Sequence, residues 1–534
     1  MKRFYLLLPL VLIFASLLTP AAGSLASEAR EVRYTVDLTR AGEGELRISL
    51  ELEAVSGPLV LELPDVYGGG LAAGLSSHIE GETARDDSGR DLEFSRDGDT
   101  WSLEHEGGLT FTYSVRLNGY EAGTPYLDSL AGSDAPWPFF PVLDSDLAYL
   151  PGYAVFVHPR GPDYLPTVEL QMPPPWRDAL PWSGQPSSMD ELLGNPICAG
   201  ELSLYEQGSL LVAAPEASTA AAGDSLAEYG GKARGVQEEA EGLLGGLDLE
   251  EGHRLVLVLL LRGEEGSAKD AYHPSAPFAS SLVIPASSQY DPLSDDAIAA
   301  TARGMASLLI SRRLHVDSEA SWLLEGSSWY LQDLLPYEAG LWGSDLFWNR
   351  FNLGYNAYRE ARSRSTVSIA QAGELGYRSG DAAALLARGG ASFCAAIDSE
   401  LRSMQPYSLD LAGFLRSLYE IGGPEGPLSN ADIISALGGM TGRDWSAFFR
   451  DYIEGSQEIP ASAFSSLNIL EPGGSALPVE EPETDTSISD WVLLGIAVLV
   501  VFIIPFILEP YTMRPRKPGF LERELSKDDE DYED

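Results

Sequence analysis

The sequence predicts a multidomain α+β protein with an N-terminal antiparallel β domain, a mixed α/β domain, a C-terminal α-helical domain and a single transmembrane helix. Three observations carry that reading. Alternating apolar and polar residues recur from Val32 to about Val212, the signature of half-buried strands. Helical periodicity dominates from Leu346 to about Pro460. An uncharged apolar run, Trp491 to Leu508, is long enough to span a bilayer. With 534 residues, of which 44% are hydrophobic, the chain is too long for one core and apolar enough to fold most of its length.

Taken in order, residues 1–26 read as a secretory signal: Lys2 and Arg3, an apolar core from Phe4 to Leu18, then Ser24-Leu25-Ala26 as a small-x-small cleavage site. Residues 27–212 form the β domain. Val32–Leu38 and Leu46–Leu52 alternate cleanly, Leu59–Leu63 runs into Pro64, and Thr110–Leu117 is a further strand. The aromatic cluster Pro136-Trp137-Pro138-Phe139-Phe140 is expected to pack as a hydrophobic plug. Residues 213–345 form the mixed domain. Asp224–Leu247 is helical, Arg254–Leu261 is a continuous apolar strand buried on both faces, and Ser281–Pro285 is a shorter strand. Asp295–Leu314 is a helix capped by Ser294, with acids in its first turn. Residues 346–460 form the helical domain, and 461–490 a disordered stalk whose Pro, Glu, Thr and Ser cannot bury a core. The membrane span is 491–508. Arg514, Arg516 and Lys517 follow it and put the tail, 509–534, in the cytoplasm and the N-terminal ectodomain outside the cell membrane.

The formal charge of −45 argues against nucleic acid as a partner, because phosphates would be repelled. Two cysteines, Cys198 and Cys394, stand far apart in sequence; spacing leaves pairing open and favours two buried free thiols.

The stretch that carries chemistry is Trp322-Leu323-Leu324-Glu325-Gly326-Ser327-Ser328-Trp329-Tyr330, the start of an amphipathic helix with Leu323, Tyr330 and Leu334 on one face and a carboxylate inside the apolar run. It resembles the W-L-x-E-G segment of glycyl-aminopeptidase-like gluzincin metallopeptidases. Leu192-Leu193-Gly194-Asn195-Pro196-Ile197-Cys198-Ala199-Gly200 resembles the run that closes their β domain. Phe448-Phe449-Arg450-Asp451-Tyr452-Ile453-Glu454-Gly455 resembles the end of their helical domain. The resemblance implies a thermolysin-like catalytic domain over 213–345, zinc as cofactor and Glu325 as its third ligand.

The chain departs from that pattern. Counting back by the family's spacing puts the two H-E-x-x-H histidines at Ala302 and Ala306 and the catalytic Glu at Arg303, and no H-E-x-x-H occurs elsewhere. The family's Y-x-x-K-G segment falls on Leu385-Leu386-Ala387-Arg388-Gly389, without the Tyr. The acidic segment that engages a substrate amine falls on Tyr272-His273-Pro274-Ser275-Ala276, although a shifted register brings in Glu265 or Asp270. Catalytic zinc needs three protein ligands and a base for its water; one Glu and one Arg supply neither.

The domain is therefore expected to be a degenerate member: a membrane-anchored extracytoplasmic pseudopeptidase with no cofactor, binding a peptide or protein. Its cleft is assigned to Glu325, Arg303 and Tyr330, with Arg303 in the place of the cation beside Glu325. Two alternatives remain open. One is an active tethered aminopeptidase with a rearranged metal site at His315, Glu319 and Glu325; the other is a structural surface protein. Ser327 and Ser328 carry no signature of an activated nucleophile.

Overall fold

Alternation at the N-terminus is realised as strand β1 (Arg30–Asp37), where Val32, Tyr34 and Val36 point into the core and the residues between them face outward. The computed structural model describes residues 30–467, apart from 65, 68–69, 72–74, 117–140, 162–163, 219–223, 262–275, 287–290, 377–379, 405–408 and 423–425. The signal, the aromatic cluster at 136–140, residues 272–275 with Glu265 and Asp270, the stalk beyond 467, the span at 491–508 and the tail lie outside the described residues. Among the described residues, no helix is long and apolar enough to cross a membrane.

β1 pairs antiparallel with β2 (Glu45–Glu62), which pairs with β4 (Thr100–Arg116), which in turn pairs with β3 (Ile79–Asp86). The two separate strands expected at 46–52 and 59–63 are one long strand. Its register shifts between Leu52 and Val55, and that irregularity absorbs the break in alternation. The other edge of β1 pairs in parallel with Tyr164–Gln171, so the sheet is antiparallel except at that pair. Two buried tyrosines fasten the sheet to the turn at 152–157. Tyr34 donates to the Val157 carbonyl at 3.0 Å, and Tyr113 donates to the Val155 carbonyl at 2.8 Å. Burial raises both phenol pKa values.

The central sheet explains the continuous apolar run. Its order is β5 (Leu202–Gln207), β6 (Leu210–Pro215), β7 (Leu255–Leu261), β9 (Ser281–Ala286) and β8 (Ala276–Pro277), with the two inner pairings parallel. Leu255, Leu257 and Leu259 join the core beneath the helices, whereas Val256, Val258 and Leu260 join the core of the N-terminal sheets. A strand with two dry faces has no use for polar alternation. Burying each such side chain stabilises by about 1.5–3 kcal/mol relative to exposure. β6 belongs to this sheet, so residues 210–215, read as the end of the β domain and the start of a linker, join the two regions.

Helices cover the far face: α1 (Ser225–Leu244), α2 (Asp295–Ser311), α3 (Trp322–Glu338), α4 (Ser344–Arg364) and α5 (Gly390–Ser403), followed by α6 (Leu411–Ile421), α7 (Asn430–Thr441) and α8 (Ser446–Tyr452). Ser294 caps α2 as expected, its hydroxyl accepting from Ala297 N at 3.2 Å. One hydrophobic cluster runs from Leu210 to Leu467, so residues 213–345 and 346–460 share a core. Cys198 and Cys394 are free and buried, and desolvation pushes both thiols up to about 12.

Candidate functional site

The site is assembled where α2, α3 and the segment leading into α5 meet. Ala302 and Ala306 are fully buried in the helical core, on the side of α2 away from solvent. Arg303 between them is 5% exposed, and its guanidinium carbon lies 4.1 Å from the centre of the Trp329 ring. A second guanidinium, that of Arg388, lies 3.9 Å from the same ring. Arg388 stands on a single π-helical turn, Leu385–Gly389, that runs directly into α5. Such a turn carries one extra residue and re-aims the side chains around it.

Helix α3 is held rigidly. Trp322 donates from Nε1 to Asn430 Oδ1 at 2.9 Å, and its ring meets Phe393 and Phe449 edge-on at 5.0 and 5.8 Å. The two aromatic motifs noticed in the sequence are therefore in contact. Gly326 follows Glu325 for a packing reason: a Cβ there would come within 2.3 Å of the Gly390 backbone, where α3 crosses the start of α5. Ser328 donates to the Leu324 carbonyl at 2.8 Å, and Ser327 Oγ lies 3.5 Å from Cys394 Sγ; neither is arranged as a nucleophile.

Helical spacing puts Glu325, Trp329 and Asp333 on one stripe of α3. Glu325 and Trp329 are half-buried there. Asp333, buried, accepts from Arg350 Nε at 2.9 Å, and Arg350 also donates to Asp296 Oδ1 at 2.8 Å. Burial works against the Arg350 charge, but Asp333 and Asp296 outweigh it and hold its pKa above the usual value.

Tyr330 does not face that stripe. It is 2% exposed, and its hydroxyl donates to Asp398 Oδ2 at 2.7 Å. Asp398 also accepts from Arg402 Nε at 2.9 Å and from Leu411 N at 2.8 Å. Desolvation raises the Asp398 pKa, opposed by Arg402, Tyr330 and Leu411. Tyr330 is thus an internal fastener between α3, α5 and α6 rather than a cleft residue. Its place one residue after Trp329 turns it about 100° around the helix.

The alternative metal site is not formed. Among the described residues no three His, Cys, Asp or Glu side chains are grouped to hold a metal ion. His315 is exposed in a loop whose next residue, Val316, bridges to Leu428, and Glu319 sits in a short 3-10 turn, accepting from Asn430 N at 3.3 Å. The two never share one α-helical face, so their four-residue spacing has no geometric consequence. The residues counted to the two further ligand positions likewise do not fit zinc, since Ala302 and Ala306 offer only buried methyl groups, and Arg303, counted to the position of the base, offers a guanidinium.

Sequence reading missed Trp329 and Arg388 as partners. Both stood inside quoted motifs, but nothing in linear spacing shows that they meet.

Comparison with known proteins agrees with this scaffold. Residues 33–201 match the peptidase M61 N-terminal domain. An aminopeptidase N family protein from Idiomarina loihiensis is similar at a TM-score of 0.62 and 16% identity, with 81% of this chain and 78% of that one covered. An M1 zinc metallopeptidase from Deinococcus radiodurans has a TM-score of 0.48 and 14% identity, with 81% and 94% covered. Yeast LTA4 hydrolase has a TM-score of 0.46 and 9% identity, with 84% and 72% covered. No curated protein sequence matches the chain. Residues 33–201 are therefore similar to the peptidase M61 N-terminal domain, and the chain shares its fold with an aminopeptidase N family protein, as the resemblance to glycyl-aminopeptidase-like gluzincins led us to expect.

Proposed function

We propose that this chain is an exported, single-pass membrane protein whose aminopeptidase-type ectodomain binds peptide or protein without zinc-dependent hydrolysis. The observation that carries the reading is Arg303, buried against Trp329 between the buried methyl groups of Ala302 and Ala306. Hydrolysis needs a base at that position to take a proton from the attacking water, and a guanidinium stays protonated. Zinc needs two further ligands beside Glu325, and the neighbouring turns of α2 offer none. What these residues can do is bind: guanidinium and carboxylate groups gathered about a half-buried indole make a polar, partly dry surface that a peptide could meet. Export rests on residues 1–26, and anchoring on 491–508 with the basic residues after it.

The test is metal analysis of the full-length protein, purified without chelators, alongside turnover of aminoacyl amides and calorimetric binding of short peptides. The reading expects zinc well below one equivalent, no turnover and measurable peptide binding. Stoichiometric zinc with turnover would make the protein a tethered aminopeptidase. Absence of zinc, turnover and peptide binding together would leave a surface protein whose contacts lie elsewhere, such as on the N-terminal sheets.

A further inference from the structure

The two edges of the N-terminal sheet are finished in different ways. Beyond β3 lies a two-residue strand, Asp91–Leu92, on a charged surface where Arg85 pairs with Asp91 and Arg96 with Glu82. A short, charged edge of this kind does not recruit a further strand. The opposite edge is Tyr164–Gln171, eight residues long, with Glu169 as its one charge and Leu165 41% exposed. Its inner side is bonded to β1 in parallel, and the Gln171 carbonyl accepts from Leu38 N at 2.9 Å. Backbone groups alternate sides along a strand, so Thr167, Glu169 and Gln171 turn towards β1 while Pro166, Val168 and Leu170 turn outward.

Those outward groups are not left as an open ladder. Pro166 has no N–H to offer. At Val168 the side-chain amide of Gln185 takes both groups: Val168 N donates to Gln185 Oε1 at 2.5 Å, and Gln185 Nε2 donates to the Val168 carbonyl at 3.2 Å. One primary amide thus makes the two bonds that an adjoining strand would make. Gln185 is exposed, but the loop that carries it is pinned on both sides, with Trp182 and Pro186 buried. Ser183 N donates to the Gly252 carbonyl at 3.1 Å, and Ser187 N donates to Glu191 Oε2 at 2.6 Å. A loop fixed in this way leaves the amide little backbone freedom to lose on bonding.

We propose that Gln185 is a guard on this edge, which keeps two copies of the chain from pairing through strand Tyr164–Gln171. A second copy is the occupant it excludes, because like edges related by a two-fold axis present the same outward groups to each other. The formal charge of −45 resists contact between copies in general, whereas this strand carries a single carboxylate.

The test is sedimentation of the full-length protein in detergent over a wide range of concentration. Gln185→Ala, which removes the amide from an exposed position, is expected to self-associate at a concentration about tenfold below the parent. Adding Val168→Pro takes away the uncovered N–H and is expected to restore the parent's behaviour, since an edge strand tolerates proline where its N–H faces solvent. Hydrogen exchange gives an independent reading. The Val168 amide is expected to be protected in the parent, to exchange freely in dilute Gln185→Ala, and to regain protection as concentration rises. Gln185→Ala associating no more than the parent overturns the guard, and so does a Val168 amide that exchanges freely in the parent. Association that persists with Val168→Pro would come from another surface or from misfolding, and overturns it too.

Discussion

Helix α3 carries two polar clusters on adjacent flanks, and they behave in opposite ways. On one flank, Tyr330, Arg402 and the Leu411 amide converge on Asp398, which is fully buried and accepts from all three. On the other, Arg303 and Arg388 lie on Trp329, whose ring is half-buried. The first cluster spends its donors internally and fastens three helices together. The second gathers two cations against one aromatic ring that is only half-buried. A buried, paired ion group on a helix is therefore no guide to a binding site by itself; what separates the two flanks is exposure, since Asp398 and Tyr330 are buried whereas Glu325, Trp329 and Arg388 are half-buried.

The sharpest way to break this contrast is to rebuild the expected metal site. Ala302→His with Ala306→His drives two imidazoles into a seam with no room for them, since both alanines are fully buried. Overpacking of this kind costs about 1–3 kcal/mol per site. Denaturant unfolding of the double variant is expected to show a loss near the sum, without stoichiometric zinc. A variant as stable as the parent that binds zinc would mean that α2 presents 302 and 306 to an open cleft.

Gly326→Ala comes next. The added methyl would sit 2.3 Å from the Gly390 backbone, and backbone cannot swing aside as a side chain does. The helices must part, at about 1–3 kcal/mol. Both flanks depend on this crossing, so the variant is expected to lose stability and peptide binding together. Loss of neither would show that α3 and α5 do not touch there.

Tyr330→Phe separates the flanks. It removes one donor to a buried carboxylate, a bond worth about 1.5–3 kcal/mol, and should leave peptide binding untouched. The effect has a pH sign. The carboxyl of Asp398 is held above its ordinary 3.8, so the folded chain binds that proton more tightly than the unfolded one, and the stability it contributes falls as pH rises through that window. Tyr330 favours the ionised form, so the loss in Tyr330→Phe is expected to be small in acid and to grow towards neutrality. Urea midpoints measured across that range check it; a pH-independent loss would show that Asp398 does not titrate where burial puts it.

These contrasts also mark what the sequence could and could not reveal. The run Leu255–Leu261 announced a strand dry on both faces, and Ser294 announced the start of α2, because each depends on neighbours in the chain. The element order from α1 through β7 and β9 to α2 and α3 was equally legible. Ala54–Gly57 looked like a break between strands because loss of alternation cannot be told from a register shift without the partner strand. Tyr330 was assigned to the cleft in place of Trp329 because a family motif fixes which residues are present, while burial decides which one faces solvent. Arg388 was noted only for the Tyr missing three positions earlier. Its contact with Trp329 depends on the π turn, which has no local signal in Leu385-Leu386-Ala387-Arg388-Gly389.

The smallest expected effect bears most directly on the open flank. If Trp329 holds the guanidinium groups by its π face, replacing it with leucine keeps apolar bulk and removes the quadrupole, at about 0.5–1 kcal/mol for the Arg388 contact. The clean measurement is a double-mutant cycle on unfolding free energy, pairing Trp329→Leu with Arg388→Gln. A coupling of about 0.5–1 kcal/mol is expected, with Trp329→Phe retaining part of it because phenyl is a weaker cation acceptor than indole. A coupling indistinguishable from zero would mean that the arginine lies near the ring without being held by it. The half-buried flank would then differ from the closed one in exposure alone, and the ring would have no part in holding its cations.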